Sequence, residues 1–318
     1  MTQQPRSSRR RIYLATTGAA TLVLLTVLVV RTLTSSAPAV ALTDTLIGPP
    51  PATASAEPGA CTPPDPLTPR QLREAARAPV VAPAPLGTAR PAAAPLRALA
   101  KSITAGACDT SGRYDYVQMR QWVIDTRAAG GRATLTTALL QYEHWLAADG
   151  SGRAIAVTTR TPAAENPPTD DIYPPGASPV TPGPMPADAR LAHDRLNSIT
   201  ALAAGPHAAL QAVADLNQWQ VPGRAARAAL LNVLADTDSL TYHGTVTDRA
   251  GRPGFAVAAT SNNGASRDLL LIDPTSGNLL AHEQTALRDP GKLGITAPTV
   301  LSYTLYVAQD HTATVQQR

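Results

Sequence analysis

Proline distribution is the feature that most restricts how this chain of 318 residues can fold. Of its 30 prolines, 14 lie between Pro38 and Pro95, and another eight lie within residues 166–186. Proline fixes φ and lacks a backbone N–H, so neither block can form a long helix or a central strand. The sequence therefore predicts an extended spacer over residues 31–94 and a folded domain over residues 95–318, interrupted by an irregular segment at residues 166–186.

An uncharged, largely apolar run of 19 residues, residues 12–30, directly follows a short basic tip, residues 1–11. At a rise of about 1.5 Å per residue, such a run matches the thickness of the hydrocarbon core of a bilayer. The arginines of the tip predict a cytoplasmic N-terminus, with the rest of this single-pass cell-membrane protein outside the cytoplasm. A cleaved signal peptide is the alternative, because residues 39–41 are small. The length of the apolar run favours an uncleaved anchor.

The net charge of +4 does not indicate a nucleic-acid partner. Four arginines of the tip account for all of it, and the remaining residues carry 23 basic and 23 acidic side chains. Phosphate binding needs basic side chains clustered on the folded part of a protein. We therefore predict no nucleic-acid partner and a membrane contact through residues 12–30.

Cys61 and Cys108 are the two cysteines of the chain. Outside the cytoplasm, two cysteines of one domain most simply form a disulfide, and closing the loop between them would stabilise the fold by about 4 kcal/mol. Two unpaired thiols are the alternative. Two distant cysteines supply too few ligands for a structural zinc site.

Alternating apolar residues predict two groups of antiparallel strands, one on each side of a helical region. The first group begins at Tyr114 and continues through "LLQYEHWLAA" and "RAIAVTTRT". The second group runs through "SLTYHGTVTD", "FAVAATS", "DLLLIDP", "LLAHEQTAL" and "LSYTLYVAQ". The residues predicted to share a face within a strand are Val117, Met119 and Val123, then Leu140, Tyr142, His144 and Leu146, then Leu240, Tyr242 and Val246, and finally Leu301, Tyr303, Leu305 and Val307.

Three consecutive helices are predicted between the two strand groups, separated by Gly205-Pro206 and Pro222-Gly223. Shorter helices are predicted at residues 68–78, with Thr68 as the N-cap, and at residues 95–105. This order of elements predicts an α+β domain. The apolar faces of the three helices are Ala192, Leu196, Ile199 and Leu202 or Ala203, then Ala209, Val213 and Leu216, then Ala226, Leu230, Val233 and Leu234.

Two short segments carry the residue types that turns require, and seven of their residues are predicted to have structural roles. Aspartate accepts a hydrogen bond from the backbone two residues ahead, proline sets φ, and glycine adopts positive φ. In "LLLIDPTSGNLLAHE", Asp273 therefore turns the chain and has no catalytic role. The predicted turn residues are Gly251, Arg252, Pro253 and Gly254 in "RAGRPG" and Asp273, Pro274 and Gly277 in "DPTSGN".

No catalytic, cofactor-binding or metal-binding motif is found in the sequence. His282-Glu283 begins like the zinc-protease motif HExxH, but position 286 is alanine and the segment is predicted to be a strand. Nucleophile-elbow and nucleotide-binding glycine motifs are absent. Asp170-Asp171 is predicted to be solvated, the tryptophans to lie in the core, and the histidines outside "LLAHE" to be exposed or half-buried. We therefore predict no enzymatic activity and no cofactor.

Four segments together resemble an uncharacterised actinobacterial family of single-pass, membrane-anchored ectodomain proteins. They are "YEHWLAADGSGR", "VPGRAARAALLNVLAD", "VTDRAGRPGFAVA" and "LIDPTSGNLLAHE". The order of strands, helices and strands is similar to the half-barrel of lipoprotein-carrier and envelope-sensor domains. This resemblance implies a curved antiparallel sheet wrapped around a few helices, with an apolar groove for a lipid or an apolar peptide.

Three functional hypotheses follow. The first is a non-enzymatic, extracytoplasmic binding module that holds a lipid or another apolar ligand. The second is a regulatory or scaffold ectodomain that acts through a protein partner in envelope sensing. The third is an exported enzyme whose site is assembled from residues distant in sequence; a His–Asp pair or a perturbed carboxylate in a pocket would support it.

Overall fold

A computed structural model describes residues 67–75, 82–106, 109–129, 132–161, 167–180, 183, 185–289 and 295–315. The predicted tip, the anchor at residues 12–30, most of the spacer, and both Cys61 and Cys108 lie outside these residues. Among the described helices, none has the length and apolar character needed to cross a bilayer.

The domain is α+β, as predicted, and is built on one open, ten-stranded antiparallel sheet. The strand order is β1-β6-β7-β8-β9-β10-β2-β3-β4-β5, so the last strand joins the two predicted strand groups by pairing with β9 and β2. The strands are β1 (Arg90–Pro91), β2 (Tyr114–Ala129), β3 (Arg132–Ala147), β4 (Gly152–Thr161), β5 (Thr169–Tyr173), β6 (Thr241–Thr247), β7 (Pro253–Ser261), β8 (Ser266–Ile272), β9 (Leu279–Ala286) and β10 (Thr299–Thr312).

Most of the helices pack on one face of this sheet, which we call the inner face. Helix α4 lies on strands β7, β8 and β9, and the main apolar core fills the space between. Inner-face residues of that core include Met119, Val257, Leu270 and Tyr306. The helices are α1 (Pro69–Ala75), α2 (Ala93–Gly106), α3 (Ala189–Ile199), α4 (Pro206–Asn217) and α5 (Arg224–Ala235).

The predicted helix faces are confirmed for α4 and α5 and are partly wrong for α3. Ala192 and Leu196 are buried, but Ile199 is exposed. Helix α3 ends at Ile199, and a separate 3₁₀ turn, Leu202–Ala204, follows. Leu202, in this turn, is half-buried and packs against the main core, whereas Ala203 is exposed, so the predicted face continues through Leu202.

The opposite, outer face carries a second apolar cluster that includes Trp122, Leu269, Tyr303 and Leu305. Side chains from the predicted spacer, among them Leu86, pack on this cluster. The predicted domain boundary at residue 95 is therefore wrong, because residues 82–94 belong to the domain. Their prolines are compatible with this position, since an extended segment that pairs at a sheet edge needs few N–H donors. The predicted short helix is confirmed as α1, with Thr68 as its N-cap.

The predicted irregularity of residues 166–186 is wrong for Thr169–Tyr173, which forms the edge strand β5. These five residues lie between proline pairs and are themselves free of proline, so they can pair with β4. Asp170, predicted to be solvated, accepts two hydrogen bonds from Arg153, at 2.7 Å from Nε and 2.6 Å from Nη2.

A bulge in β6 overturns the prediction that Leu240, Tyr242 and Val246 share a face. The register between β6 and β7 shifts between Tyr242 and Thr245. Gly244 lies in this interval with φ +78°. The extra residue reverses the alternation, so Tyr242 contacts the inner core and Val246 belongs to the outer cluster.

Candidate functional site

The segment "DPTSGN" forms a turn between β8 and β9, and Asp273 organises it. Its Oδ1 accepts hydrogen bonds from the backbone N–H of Thr275 at 2.7 Å and of Ser276 at 2.8 Å. Gly277 has φ +75°, and a Cβ at this position would lie 2.6 Å from Cδ1 of Ile103 in α2. Only glycine combines this backbone conformation with so close a neighbour.

Arg227, a buried residue of helix α5, binds the same turn. Its Nε donates to the carbonyl of Ser276 and its Nη1 to the carbonyl of Pro222, both at 2.7 Å. Asp109 accepts a hydrogen bond from the backbone N–H of Arg224, at the first turn of α5. The quoted segments "VPGRAARAALLNVLAD" and "LIDPTSGNLLAHE" are therefore joined by structural contacts.

The "RAGRPG" segment has an equally structural explanation. The buried Asp248 accepts hydrogen bonds from the backbone of Ala250 and from the backbone and side chain of Arg252. Arg252 donates to the carbonyls of Leu280 at 3.1 Å and Tyr306 at 2.8 Å, both beside register shifts of the sheet. The side chain of Arg252 thus supplies donors to carbonyls where the strand ladder is interrupted.

Pro253 and Gly254 were predicted to be turn residues, and this is wrong because both lie inside β7. They pair with Thr247 and Val246 of β6. A Cβ at Gly254 would lie 3.1 Å from Cβ of Leu271, so close packing between strands explains this glycine. Gly251 precedes β7 and has φ +81°, a conformation that favours glycine.

His282 and Glu283 point to opposite faces of the sheet, because they are neighbours on one strand. Glu283 is buried on the outer face, where it accepts hydrogen bonds from Arg249 at 2.7 Å, from Arg267 at 3.4 Å and from the backbone of Ala84 at 3.0 Å. The contact with Ala84 fixes residues 82–94, which were predicted to belong to the spacer, to the sheet. Two side chains on opposite faces cannot cooperate as the histidine and glutamate of a zinc protease do.

On the inner face, His282 pairs with Asp268 under helix α4, at 3.3 Å between Nε2 and Oδ1. Gln284 donates to Asp268 at 3.0 Å and to Gln211 of α4 at 2.8 Å, and Gln211 donates to Asp215 at 2.7 Å. Burial raises the pKa of Asp215, and the hydrogen bond from Gln211 partly opposes that effect. Both members of the His–Asp pair are buried. The network joins helix α4 to strands β8 and β9.

The inner face remains partly open beyond these helices, on the long strands β2, β3 and β4. We call this region the inner shelf. Its rows follow from the strand register, in which Tyr142 faces both Met119 and Ala156, and Leu140 faces both Gln121 and Thr158. Tyr142 also packs against the main core, so the shelf continues the core towards solvent. Its half-buried apolar side chains are Val123, Leu140, Tyr142, Ala154 and Ala156.

The inner shelf ends at His144, which was predicted to be exposed or half-buried and is instead 2% exposed. Its ring stacks on Trp219, with ring centroids 5.2 Å apart and planes inclined by 25°. Its Nε2 has no hydrogen-bond partner among the described residues. Burial lowers the pKa of His144 to about 3, so the ring is neutral near pH 7. Trp219 lies in the connection between α4 and α5, a position that strand alternation alone does not reveal.

Over the described ranges, no group of three or more histidine, cysteine, aspartate or glutamate side chains could hold a metal ion. Comparison with known proteins gives no assignment: no protein-family model matches the chain, and no curated protein matches it.

Proposed function

We propose that this protein is a non-enzymatic binding module, held at the membrane by residues 12–30 with its domain outside the cytoplasm, and that its ligand is apolar. The observation that carries the proposal is the inner shelf, an apolar surface that continues the core but is only half-buried. We also propose that the sheet curves around the inner shelf, as the sheet of a half-barrel does.

The shelf differs from the rest of the inner face in that its apolar side chains are only half-buried. Over β7, β8 and β9 the space below helix α4 is filled by buried side chains such as Leu210, Val213 and Leu270. On β3 and β4, Leu140, Tyr142 and their neighbours keep part of their apolar surface in water. Covering such surface is favourable by roughly 25 cal/mol per Å², which supports a ligand with an apolar chain.

Photolabelling of the full-length chain in membranes tests the binding site. The probe is dodecane carrying a diazirine, and labelled positions are read by mass spectrometry. The proposal predicts labelling within residues 138–158 that is strongly reduced by Leu140→Asp. The matched control is Leu191→Asp, which changes an exposed leucine of α3 and should leave labelling unchanged. Absence of labelling on the shelf, or labelling insensitive to Leu140→Asp, would contradict the proposal.

Protease treatment of intact cells tests the placement of the domain. An extracytoplasmic domain is degraded when protease is added outside, and a cytoplasmic control protein is protected. Survival of residues 82–318 in cells that remain intact would show that the proposed orientation is wrong.

A protein partner is the second candidate, favoured by the edge strand β5. Ile172 of this strand is 77% exposed. An edge strand with a large exposed apolar side chain is a surface on which another chain can add a strand. A photoreactive residue at position 172 should then cross-link one defined protein in membranes, and Leu191 replaced in the same way should not. Equal cross-linking from both positions would count against this candidate.

A further inference from the structure

The inner shelf ends on a buried polar group whose role the fold does not explain. His144 lies on the same face of β3 as Leu140 and Tyr142, one alternation beyond Tyr142. The imidazole is buried, and Nε2 has no hydrogen-bond partner among the described residues. Buried polar atoms are normally paired, because leaving one unpaired costs its lost hydration without compensation. A ligand group that bonded with Nε2 would remove this cost.

The surroundings of His144 favour an uncharged ligand group. Burial keeps the ring neutral at ordinary pH, so an anionic head group would gain no ion pair with it. A charged group of either sign would also lose its hydration beside a neutral ring. In the same row of the sheet, Ala154 of β4 faces Asp171 of β5, and this carboxylate would repel an anion. A hydroxyl group both donates and accepts, so it can bond with Nε2 in either tautomer of the ring.

We propose that the inner shelf binds an uncharged long-chain alcohol, whose chain lies along Tyr142 and Leu140 and whose hydroxyl group hydrogen bonds with His144. This inference rests on the proposed function and adds the class of ligand. Trp219 stacks on the face of the imidazole, whereas Nε2 forms hydrogen bonds in the plane of the ring, so the stacking contact can remain when the hydroxyl group bonds. Because Nε2 is buried, the side chains that enclose it must move to admit the hydroxyl group. His144 is then a specificity-determining residue of the shelf.

The test compares three probes that share one diazirine-bearing chain: dodecanol, dodecane and dodecanoate. They are titrated against the full-length chain in membranes, and labelling of residues 138–158 is measured. Dodecanol should reach half-maximal labelling at about a tenfold lower concentration than dodecane, as expected for one hydrogen bond to a buried group. Dodecanoate should have no such advantage.

His144→Phe keeps an aromatic ring against Trp219 and removes the hydrogen bond. It should abolish the advantage of dodecanol, so that dodecanol and dodecane reach half-maximal labelling of the variant at similar concentrations. His193→Phe, at an exposed position of α3, is the matched control and should retain the advantage. A second measurement avoids mutation: with ¹⁵N-labelled histidine, dodecanol should shift the Nε2 resonance of His144 and dodecane should not.

The outcomes separate this inference from the function on which it rests. Equal labelling of the shelf by dodecanol and dodecane would overturn the inference about His144 and leave the apolar site in place. Tighter labelling by dodecanoate would overturn the preference for an uncharged group. Absence of shelf labelling by all three probes would overturn the proposed function itself.

Discussion

The pH dependence of stability tests the environment of His144 directly. The pKa of this histidine falls from 6.5 to about 3 because burial disfavours the charged ring. The unfolded chain therefore binds a proton below pH 6.5 that the folded chain does not bind. The stabilising effect of the neutral ring is complete above pH 6.5 and is lost as the pH falls towards 3. At about 1.4 kcal/mol per pH unit, roughly 3 kcal/mol is lost by about pH 4.

Urea unfolding of the full-length chain, measured between pH 7.5 and pH 4, provides the assay. Other groups also titrate, so the informative quantity is the difference in unfolding free energy between His144→Phe and the unmodified protein. Between pH 7.5 and pH 4, the unfolding free energy of the variant should rise by roughly 3 kcal/mol relative to that of the unmodified protein, whatever the difference is at pH 7.5. For His193→Phe, at an exposed position, the curve of unfolding free energy against pH should remain parallel to that of the unmodified protein. Parallel curves for His144→Phe as well would refute the claim that the ring is buried and neutral.

Three further predictions concern the turn and the polar network, and urea unfolding of the full-length chain measures each. Asp273→Ala should destabilise the protein by about 1–2 kcal/mol, because two backbone N–H groups lose their acceptor; an unchanged midpoint would refute the role of this turn. Gly277→Ala should lower the free energy of unfolding by about 2–4 kcal/mol, since it combines positive φ with a clash against Ile103. Gly176 also has positive φ, +77°, but has open space around it, so Gly176→Ala should lower the free energy of unfolding by only about 1 kcal/mol. Equal losses for the two variants would exclude the clash. Asp215→Asn should stabilise the protein at neutral pH, because burial raises the pKa of this carboxyl and makes its charged form unfavourable. The gain should disappear as the pH falls and Asp215 becomes protonated, and a gain independent of pH would contradict this account.

The parts of the fold that depend on local patterns could be predicted from the sequence. Alternation placed Val117 and Met119 on one face of β2, and the structure confirms that both belong to the main core. The roles of Asp273 and Gly277 are of the same local kind, because an aspartate side chain hydrogen bonds to the backbone just ahead of it and glycine adopts positive φ.

The failed predictions involve interactions between residues distant in sequence. The bulge at Gly244 changes which face Val246 occupies, and alternation cannot reveal an inserted residue. Ala84 belongs to the domain because the distant Glu283 accepts a hydrogen bond from its backbone N–H. The burial of His144 depends on Trp219, 75 positions later in the chain. Proline content alone could not indicate where the spacer ends.

Native mass spectrometry of the full-length chain extracted from the cells that produce it tests the central claim most directly. If the inner shelf is a binding site for an apolar molecule, the spectrum should contain a chain with one bound ligand of defined mass. This species should be depleted in Leu140→Asp and retained in Leu191→Asp. A spectrum with the unliganded chain alone, or with a bound species that Leu140→Asp leaves unchanged, would contradict the claim.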